Sequence, residues 1–217
     1  MTDNKLMFFV DFDGTITVND ICYTMVKVFA AEGWQELNRL WEQKVISTEE
    51  CAQGTLHLMD VKPAELEEFF YAQELTPGFP TFVDWVRSHE YPLYILSDGY
   101  DNYIDIVLQR HGLEIEYYAN HLKYDAGRWQ FVSPYPDDDC QECGVCKKAL
   151  IEQKLQPGYR TVYIGDGYSD TCPAQFCDTV FARDTLASYC EQNDIPYHPY
   201  QNFYQVLEQL QKGRLWK

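Results

Sequence analysis

Asp11 and Asp13 stand near the end of an apolar run, residues 6–12, just before a glycine. Side chains two apart at the end of a strand point the same way, so these two carboxylates can share one site. Two carboxylates in one site require a cation, and Asp166, which follows another apolar run, adds further oxygens. Mg²⁺ typically binds one or two carboxylates, waters and phosphate oxygens. The three aspartates therefore indicate a magnesium site.

A second group of residues can hold an anion. Ser97 offers a hydroxyl, and the N–H groups of Asp98 and Gly99 precede a predicted helix whose positive end attracts negative charge. Lys147 adds a fixed positive charge. Phosphoryl transfer needs an in-line nucleophile, neutralisation of charge and a proton for the leaving oxygen. Because a carboxylate can serve as the nucleophile, these residues contain a candidate for each part of that reaction.

Short apolar runs that alternate with helical segments predict the elements that position these residues. This alternation is typical of parallel βαβ units, and such sheets bind ligands outside the carboxyl ends of their strands, where the strand order reverses. The acidic and hydroxyl motifs follow three of the runs, so we expect them to meet at that edge. The predicted strands are 6–12, 91–96, 160–164 and 179–182, together with a hairpin of 115–124 and 129–132.

The stretch from about residue 20 to residue 75 has helical spacing of its apolar residues. Within it, residues 47–50 read Ser-Thr-Glu-Glu, which predicts a capping box, and Pro63 suits the first turn of a further helix. Helices are also predicted around Phe82 and Trp85, from about 100 to 110, and over 147–155. The sequence thus predicts an α/β core interrupted by a helical segment.

The formal net charge of the 217-residue chain is −17, which argues against nucleic acid and anionic membranes as partners. A phosphate site in such a protein must be made locally positive by a metal ion, a lysine and backbone N–H groups. The N-terminus matches neither a signal peptide nor a membrane span. The chain is also much longer than secreted disulfide scaffolds, so its eight cysteines are expected to be reduced and the protein to be cytoplasmic. Homodimerisation through an apolar edge of the helical segment stays open.

These motifs resemble those of the haloacid dehalogenase superfamily of phosphatases, and they occur in the same order along nearly the whole chain. The segment Asp-Phe-Asp-Gly-Thr at 11–15 resembles the first motif of the family, Ser97 the second and Lys147 the third. Residues 165–170, Gly-Asp-Gly-Tyr-Ser-Asp, resemble the fourth. A lone Asp-x-Asp pair would be weak support, whereas four motifs in order are specific.

The resemblance implies a role for each residue. Asp11 would attack phosphorus and bind Mg²⁺, while Asp13 would protonate the leaving oxygen, activate water and offer its backbone carbonyl to the metal. Asp166 would bind the metal as well. The remaining family positions would hold phosphate (Ser97, Lys147 and the amides of Asp98 and Gly99) or support the site (Thr15 and Asp170).

The position of the helical segment indicates the phosphoserine-phosphatase-like branch of the superfamily. The resemblance implies a Rossmann-like core of residues 1–17 and 77–217 and a small helical cap of residues 18–76, which would exclude water and select the substrate. Within the branch, residues 11–20, the Cys-Gly-Val-Cys-Lys run at 143–147 and the segment 181–206 most resemble the methionine-salvage phosphatases that act on hydroxyketo-methylthiopentenyl phosphate.

Two departures keep other substrates open. Asp98 stands where those enzymes and phosphoserine phosphatases usually have glycine. The Gly-Asp-Gly run at 165–167, followed by Thr-Cys-Pro at 171–173, also resembles phosphocholine and phosphoethanolamine phosphatases. The substrate is therefore expected to be a small phosphate monoester, with phosphoserine, phosphocholine and phosphoethanolamine as alternatives to the methionine-salvage compound.

Simpler interpretations stand beside these. Asp20 is a candidate substrate contact, but it also suits a helix N-cap. Cys140, Cys143 and Cys146 recur every three residues; they can be reduced structural thiols, a disulfide or part of a metal site, although no fourth ligand completes a zinc pattern. A binding or regulatory protein that retains the fold without turnover is the non-enzymatic alternative, and a phosphotransferase or mutase is a third.

Overall fold

One sheet of seven strands forms the centre of the protein, as seen in a computed structural model that describes residues 5–135 and 143–213. The sheet order is β4-β3-β2-β1-β5-β6-β7, and every neighbouring pair is parallel except the hairpin of β3 and β4. This confirms the predicted α/β fold. The strands are β1 (Lys5–Val10), β2 (Leu93–Tyr100), β3 (Glu116–Asp125), β4 (Arg128–Val132), β5 (Tyr159–Gly165), β6 (Thr179–Ala182) and β7 (His198–Pro199).

Ten α-helices accompany the sheet in the described residues. Five lie between β1 and β2 in sequence, and the other five follow β2, β4, β5, β6 and β7 in turn. They are α1 (Ile21–Phe29), α2 (Trp34–Glu42), α3 (Thr48–His57), α4 (Pro63–Tyr71), α5 (Phe79–Ser88), α6 (Asp101–Arg110), α7 (Lys147–Lys154), α8 (Thr171–Ala174), α9 (Asp184–Gln192) and α10 (Phe203–Gln211). None of these helices combines the length and the apolar character needed to cross a membrane.

Strand β1 is buried on both faces, as its unbroken apolar sequence requires. Phe8 and Val10 pack into one core with α5, α6 and α10, whereas Met7 and Phe9 face a second core beneath α7, α8 and α9. The strand lies between β2 and β5, so the strand order reverses around it. The segments that follow β1 and β5, and the last residues of β2, therefore meet at one edge of the sheet, as the sequence predicted.

The two stretches of chain that connect the helical segment to the core are hydrogen-bonded to each other. The N–H of Val18 donates to the carbonyl of Glu74 at 3.0 Å, and the N–H of Thr76 donates to the carbonyl of Ile16 at 2.8 Å. Side chains of this segment, such as Met25 and Leu66, share the apolar core of the sheet. The segment is therefore packed on the core, and its division from the core as a separate cap stays a prediction.

Two predicted helix starts in the helical segment agree with the structure. Ser47 caps α3 in a reciprocal capping box with Glu50, and Pro63 is the first residue of α4. The second strand lies later in the chain than the predicted 91–96, because β2 begins at Leu93 and extends through Tyr100. Its pairing with β3 shifts between Leu96 and Tyr100, so the Ser97–Gly99 motif lies at an irregularity within the last residues of the strand.

Candidate active site

Asp11 lies directly after β1 and is buried, with its N–H bonded to the carbonyl of Ile164 on β5 at 2.9 Å. The chain then turns sharply through Gly14, whose φ of 73° lies in the left-handed region that favours glycine. A Cβ at Gly14 would stand 2.6 Å from Asp166 Oδ2. The glycine therefore permits both the turn and the close approach of Asp166, whose Oδ1 accepts a 2.6 Å hydrogen bond from Thr15.

Lys147 is the first residue of α7, and its side chain is almost completely buried. Its ammonium donates to Asp11 Oδ1 at 2.5 Å, to Asp170 Oδ1 at 2.6 Å and to Ser169 Oγ at 3.0 Å. Burial disfavours the charged form, but the surrounding carboxylates outweigh burial and raise the lysine pKa above its ordinary value. The neighbouring Lys148 instead lies 3.7 Å from Glu152. Lys147, and not Lys148, is thus the lysine that contacts Asp11.

Asp170 is fully buried and accepts four hydrogen bonds. Its Oδ1 accepts from Lys147 and from the Tyr163 hydroxyl at 2.5 Å, while its Oδ2 accepts from the N–H groups of Asp166 at 3.0 Å and Gly167 at 2.9 Å. A carboxylate offers about four lone-pair sites. Asp170 is therefore placed to orient Lys147 and the turn after β5, which fits its predicted supporting role.

Oxygens of Asp11, Asp166 and Asp170 lie within 4.8 Å of one another and can hold a metal ion. Burial, followed by the charges of Asp170 and Asp166, raises the pKa of Asp11 well above its ordinary value, although Lys147 opposes this shift. Burial and Asp170 raise the pKa of Asp166 to about 7. This cluster carries more negative charge than one lysine offsets. Its hard oxygen donors and excess charge fit a divalent cation.

Asp13 is half-buried beside this cluster, and both of its side-chain oxygens are hydrogen-bonded. Oδ1 accepts from the N–H groups of Ile21 at 2.9 Å and Cys22 at 3.3 Å, at the start of α1. Oδ2 accepts from the hydroxyls of Tyr103 and, at 3.4 Å, Ser97. Burial and then the charge of nearby Asp20 raise the pKa of Asp13 to about 7. A carboxyl group with that pKa can donate and accept a proton near neutral pH.

The second motif is joined to Asp13 and to the loop before Lys147. Ser97 Oγ accepts from the N–H of Gly99 at 2.9 Å. The Asp98 carboxylate accepts from the N–H of Val145 at 2.8 Å, and its carbonyl accepts from Asn120 at 2.7 Å. Asp98, where glycine was expected by resemblance, thus connects β2 to the segment that leads into α7. The predicted phosphate contacts of Ser97 and of the Asp98 and Gly99 amides remain predictions.

A cavity of about 220 Å³ opens over these residues. Its lining includes carboxylates, among them Asp11, Asp13 and Asp166. It also includes apolar and aromatic side chains of the helical segment, namely Tyr23, Val26, Trp34, Trp41, Ala52 and Leu56. The edge of Trp41 on α2 meets the ring of Tyr168 with centroids 5.8 Å apart, so the helical segment contacts the core directly at this cavity.

The structure also shows the surroundings of Asp20 and of part of the cysteine triplet, for which the sequence allows purely structural roles. Asp20 is the N-cap of α1, accepting from Tyr23 N–H at 2.7 Å, and it also lines the cavity. Of the cysteine triplet, Cys140 lies outside the described residues, whereas Cys146 is the buried N-cap residue of α7. Asp20 therefore has the predicted structural role and keeps its candidacy as a substrate contact.

Sequence reasoning missed several aromatic and basic neighbours of the site. Tyr163 on β5 holds Asp170, Tyr103 on α6 holds Asp13, and the Arg183 guanidinium donates to the carbonyl of Gly14. Tyr163 stands two residues before Gly165, on the same face of the strand, which was the available signal. Nothing in the local sequence distinguishes Tyr103 from the other 16 of the 17 tyrosines.

Comparison with known proteins agrees with this geometry. The profile of the haloacid dehalogenase-like hydrolases matches residues 8–174. The chain belongs to this family. The fold and the class of enzyme predicted from the sequence, a haloacid dehalogenase-like phosphatase, are thereby confirmed.

Among its relatives are proteins named 2-hydroxy-3-keto-5-methylthiopentenyl-1-phosphate phosphatase. The protein of that name from Bacillus velezensis is 31% identical over 216 residues, which cover 95% of this chain and 91% of the relative. The one from Bacillus mycoides is 31% identical over 214 residues, covering 95% of this chain and 96% of the relative.

Solved structures of phosphoserine phosphatases share the fold. One that carries an analogue of the phospho-aspartyl intermediate has a TM-score of 0.73 at 18% identity, covering 95% of this chain and 99% of that chain. A substrate-bound phosphoserine phosphatase has a TM-score of 0.71 at 17% identity, covering 95% of this chain and 98% of that chain. At this level of identity the likeness concerns the fold alone.

Proposed function

We propose that this chain hydrolyses a small phosphate monoester through a covalent phosphate ester of Asp11, with Mg²⁺ as the metal. The observation that carries the proposal is the position of Asp11. Its buried carboxylate ends the central strand, is bonded to Lys147, and lies in the same cavity as Asp13 and Asp166. Nucleophile, counter-charge and proton donor are thus present together, which is what phosphoryl transfer requires.

In the first half of the reaction, a carboxylate oxygen of Asp11 forms a bond to phosphorus while the bond from phosphorus to the substrate oxygen breaks. The departing oxygen takes a proton from Asp13, whose pKa of about 7 suits a general acid at neutral pH. In the second half, a water oxygen attacks the same phosphorus and gives a proton to Asp13. Inorganic phosphate and the Asp11 carboxylate are then released, and Asp13 is again protonated.

The predicted ligands of the metal are Asp11, Asp166 and the backbone carbonyl of Asp13. Asp170 is better suited to support, because its oxygens already accept four hydrogen bonds. A bound Mg²⁺ would neutralise charge on the transferring phosphoryl group. Lys147 bonds one oxygen of Asp11, and Thr15 bonds the carboxylate of Asp166, so both predicted ligands are held in position.

The cavity lining favours a substrate with an apolar tail. This lining includes apolar side chains such as Val26, Trp34 and Leu56, which suit a thioether. None of the lining residues in the described parts of the chain is lysine, arginine or histidine, so the substrate carboxylate of phosphoserine would lack a charged partner there. We therefore propose 2-hydroxy-3-keto-5-methylthiopentenyl-1-phosphate, in keeping with the names of the relatives at 31% identity.

A phosphorylated amino alcohol is the second candidate. The aromatic rings of Tyr23, Trp34 and Trp41 line the cavity together with the carboxylates of Asp20 and Asp98. Aromatic faces and carboxylates bind quaternary and primary ammonium groups. Phosphocholine and phosphoethanolamine therefore remain in the comparison. We further propose that residues 18–76 act as the cap that closes this cavity, and that the protein acts in the cytoplasm on a free metabolite.

Release of inorganic phosphate tests this proposal. Freshly generated 2-hydroxy-3-keto-5-methylthiopentenyl-1-phosphate would be compared with phosphocholine, phosphoethanolamine and phosphoserine, with Mg²⁺ and with a chelator. The expected result is chelator-sensitive release with the highest kcat/KM for the thioether compound. A preference for phosphocholine would keep the mechanism and replace the substrate. Absence of release from every ester, including an aryl phosphate, would contradict the enzymatic proposal.

A further inference from the structure

Tyr103 is a fully buried tyrosine whose hydroxyl donates to Asp13 Oδ2. Its ring is held between the rings of Phe12, at a centroid distance of 5.9 Å, and Phe70, at 5.3 Å. Phe12 belongs to the turn that carries Asp13, and Phe70 belongs to α4. Packing therefore fixes where the ring lies, and the hydroxyl points from the apolar core into the active site.

Gly99 makes room for this contact. A Cβ at position 99 would stand 1.5 Å from the Tyr103 hydroxyl oxygen and 2.4 Å from Asp13 Oδ2. Those separations are far below van der Waals contact, so a side chain larger than that of glycine would displace one of the two groups. The glycine of the second motif thus has a steric role that is separate from any phosphate contact by its N–H.

Tyr103 differs chemically from most of the other hydrogen-bond donors to Asp13. Ile21 and Cys22 approach Oδ1 through backbone N–H groups, which can only donate. A hydroxyl can donate to a carboxylate and also accept from the protonated acid. Ser97 is the second hydroxyl, but at 3.4 Å it is at the far limit of a hydrogen bond. Tyr103 can therefore hold Asp13 in both of its protonation states.

We propose that Tyr103 is the positioning residue that orients Asp13 for proton transfer, with Gly99 providing the space that it needs. This inference rests on the proposed function, in which Asp13 protonates the departing substrate oxygen. Tyr103 itself donates no proton to the substrate. Its hydroxyl fixes the position of the Asp13 carboxyl group at the cavity in which the substrate oxygen would depart.

The experiment compares two leaving groups in Tyr103→Phe. A 5-methylthiopentyl phosphate releases an alkoxide and needs a proton from Asp13, whereas para-nitrophenyl phosphate releases a stable anion and needs little help. The value of kcat/KM covers the steps up to and including transfer of phosphate to the enzyme. It therefore includes this proton transfer and excludes the later attack by water. We expect the kcat/KM for the alkyl ester to fall by about tenfold to a hundredfold, and that for the aryl ester by less than about threefold.

The ratio of the two kcat/KM values is the decisive quantity, because a partly folded preparation lowers both values equally. Tyr117→Phe is the matched control. It also removes a tyrosine–carboxylate hydrogen bond, the 2.7 Å bond from Tyr117 on β3 to Asp105, but this bond lies on the exposed side of α6, the helix that carries Tyr103. An unchanged ratio in Tyr103→Phe, with both esters hydrolysed by the unaltered protein, would overturn the inference alone. Failure of the unaltered protein to hydrolyse either ester would overturn the proposed function, and the inference with it.

Discussion

The Lys147 ammonium lies 2.5 Å from Asp11 Oδ1, and both side chains are almost completely removed from solvent. The lysine also bonds Asp170 at 2.6 Å, so one cation offsets two buried carboxylates. An ion pair of this kind costs desolvation energy and is strongly destabilising when one partner is removed. The pair therefore links the stability of the core to the nucleophile of the proposed reaction.

Lys147→Met should remove activity and destabilise the fold by about 3–5 kcal/mol, because it leaves two carboxylates buried without their cation. The matched control is Lys148→Met, in the next residue of α7, whose ammonium is partly exposed and lies 3.7 Å from Glu152. That change should alter stability by less than about 1 kcal/mol. Urea denaturation and phosphate release measure both effects, and equal losses in the two variants would contradict the assignment of Lys147.

Asp11→Asn should abolish turnover while keeping the fold. An amide is neither an adequate nucleophile nor an anionic ligand, so we expect at least a thousandfold loss of kcat. Lys147 keeps its 2.6 Å bond to Asp170 in this variant, so its charge still has a buried partner. The melting temperature of the metal-free variant should therefore fall less than that of Lys147→Met. Near-normal activity in the folded variant would refute the role of Asp11.

The stability of the metal-free protein should fall as the pH rises from about 4 to about 7. Asp13 and Asp166 have pKa values raised to about 7 in the folded state, so the folded state binds more protons than the unfolded state across this window. The slope of unfolding free energy against pH is then negative. Thermal melts across this window would measure it, and Asp166→Asn should flatten the slope. Stability that increases with pH in this range would contradict these shifts.

Mg²⁺ should reverse part of that loss, because it binds the deprotonated carboxylates of the folded protein. The gain in melting temperature on adding Mg²⁺ should be larger at about pH 8 than at about pH 6, since protons compete for Asp166. A magnesium effect that is independent of pH, or that persists in Asp166→Asn, would place the metal elsewhere.

Gly99→Ala should reduce kcat by about a hundredfold, because a Cβ would displace Tyr103 or Asp13, and small displacements of reacting groups cost rates of that order. Gly54→Ala in α3 is the control. Its Cβ would meet the flexible Leu37 side chain at 3.0 Å, and alanine favours a helix. Steady-state kinetics of the two variants test this prediction, and equal activity would contradict the steric role of Gly99.

Much of the fold could be predicted because its signals are local. The apolar run of β1, the capping box at Ser47 and the proline at the start of α4 each depend on residues close in sequence. Asp11, Ser97 and Asp166 are predicted to meet at one edge of the sheet because each follows an apolar run. The structure brings Asp11 and Asp166 together there, with Ser97 bonded to Asp13.

The unpredicted parts depend on contacts between distant segments. Tyr103 reaches Asp13 across 90 residues of sequence, and only packing against Phe12 and Phe70 directs its hydroxyl there. The bond from Asp98 to the N–H of Val145 spans 47 residues. The extra length of β2 arises from its shifted pairing with β3, which periodicity within one segment does not encode.

Trapping the phosphorylated enzyme tests the central claim most directly. The protein would be mixed with para-nitrophenyl phosphate and Mg²⁺, quenched rapidly, and treated with borohydride, which reduces an aspartyl phosphate to homoserine. Peptide mass spectrometry should then find homoserine at position 11 of the unaltered protein, dependent on both substrate and Mg²⁺. Turnover with aspartate unchanged at position 11, or homoserine at another position, would contradict the mechanism.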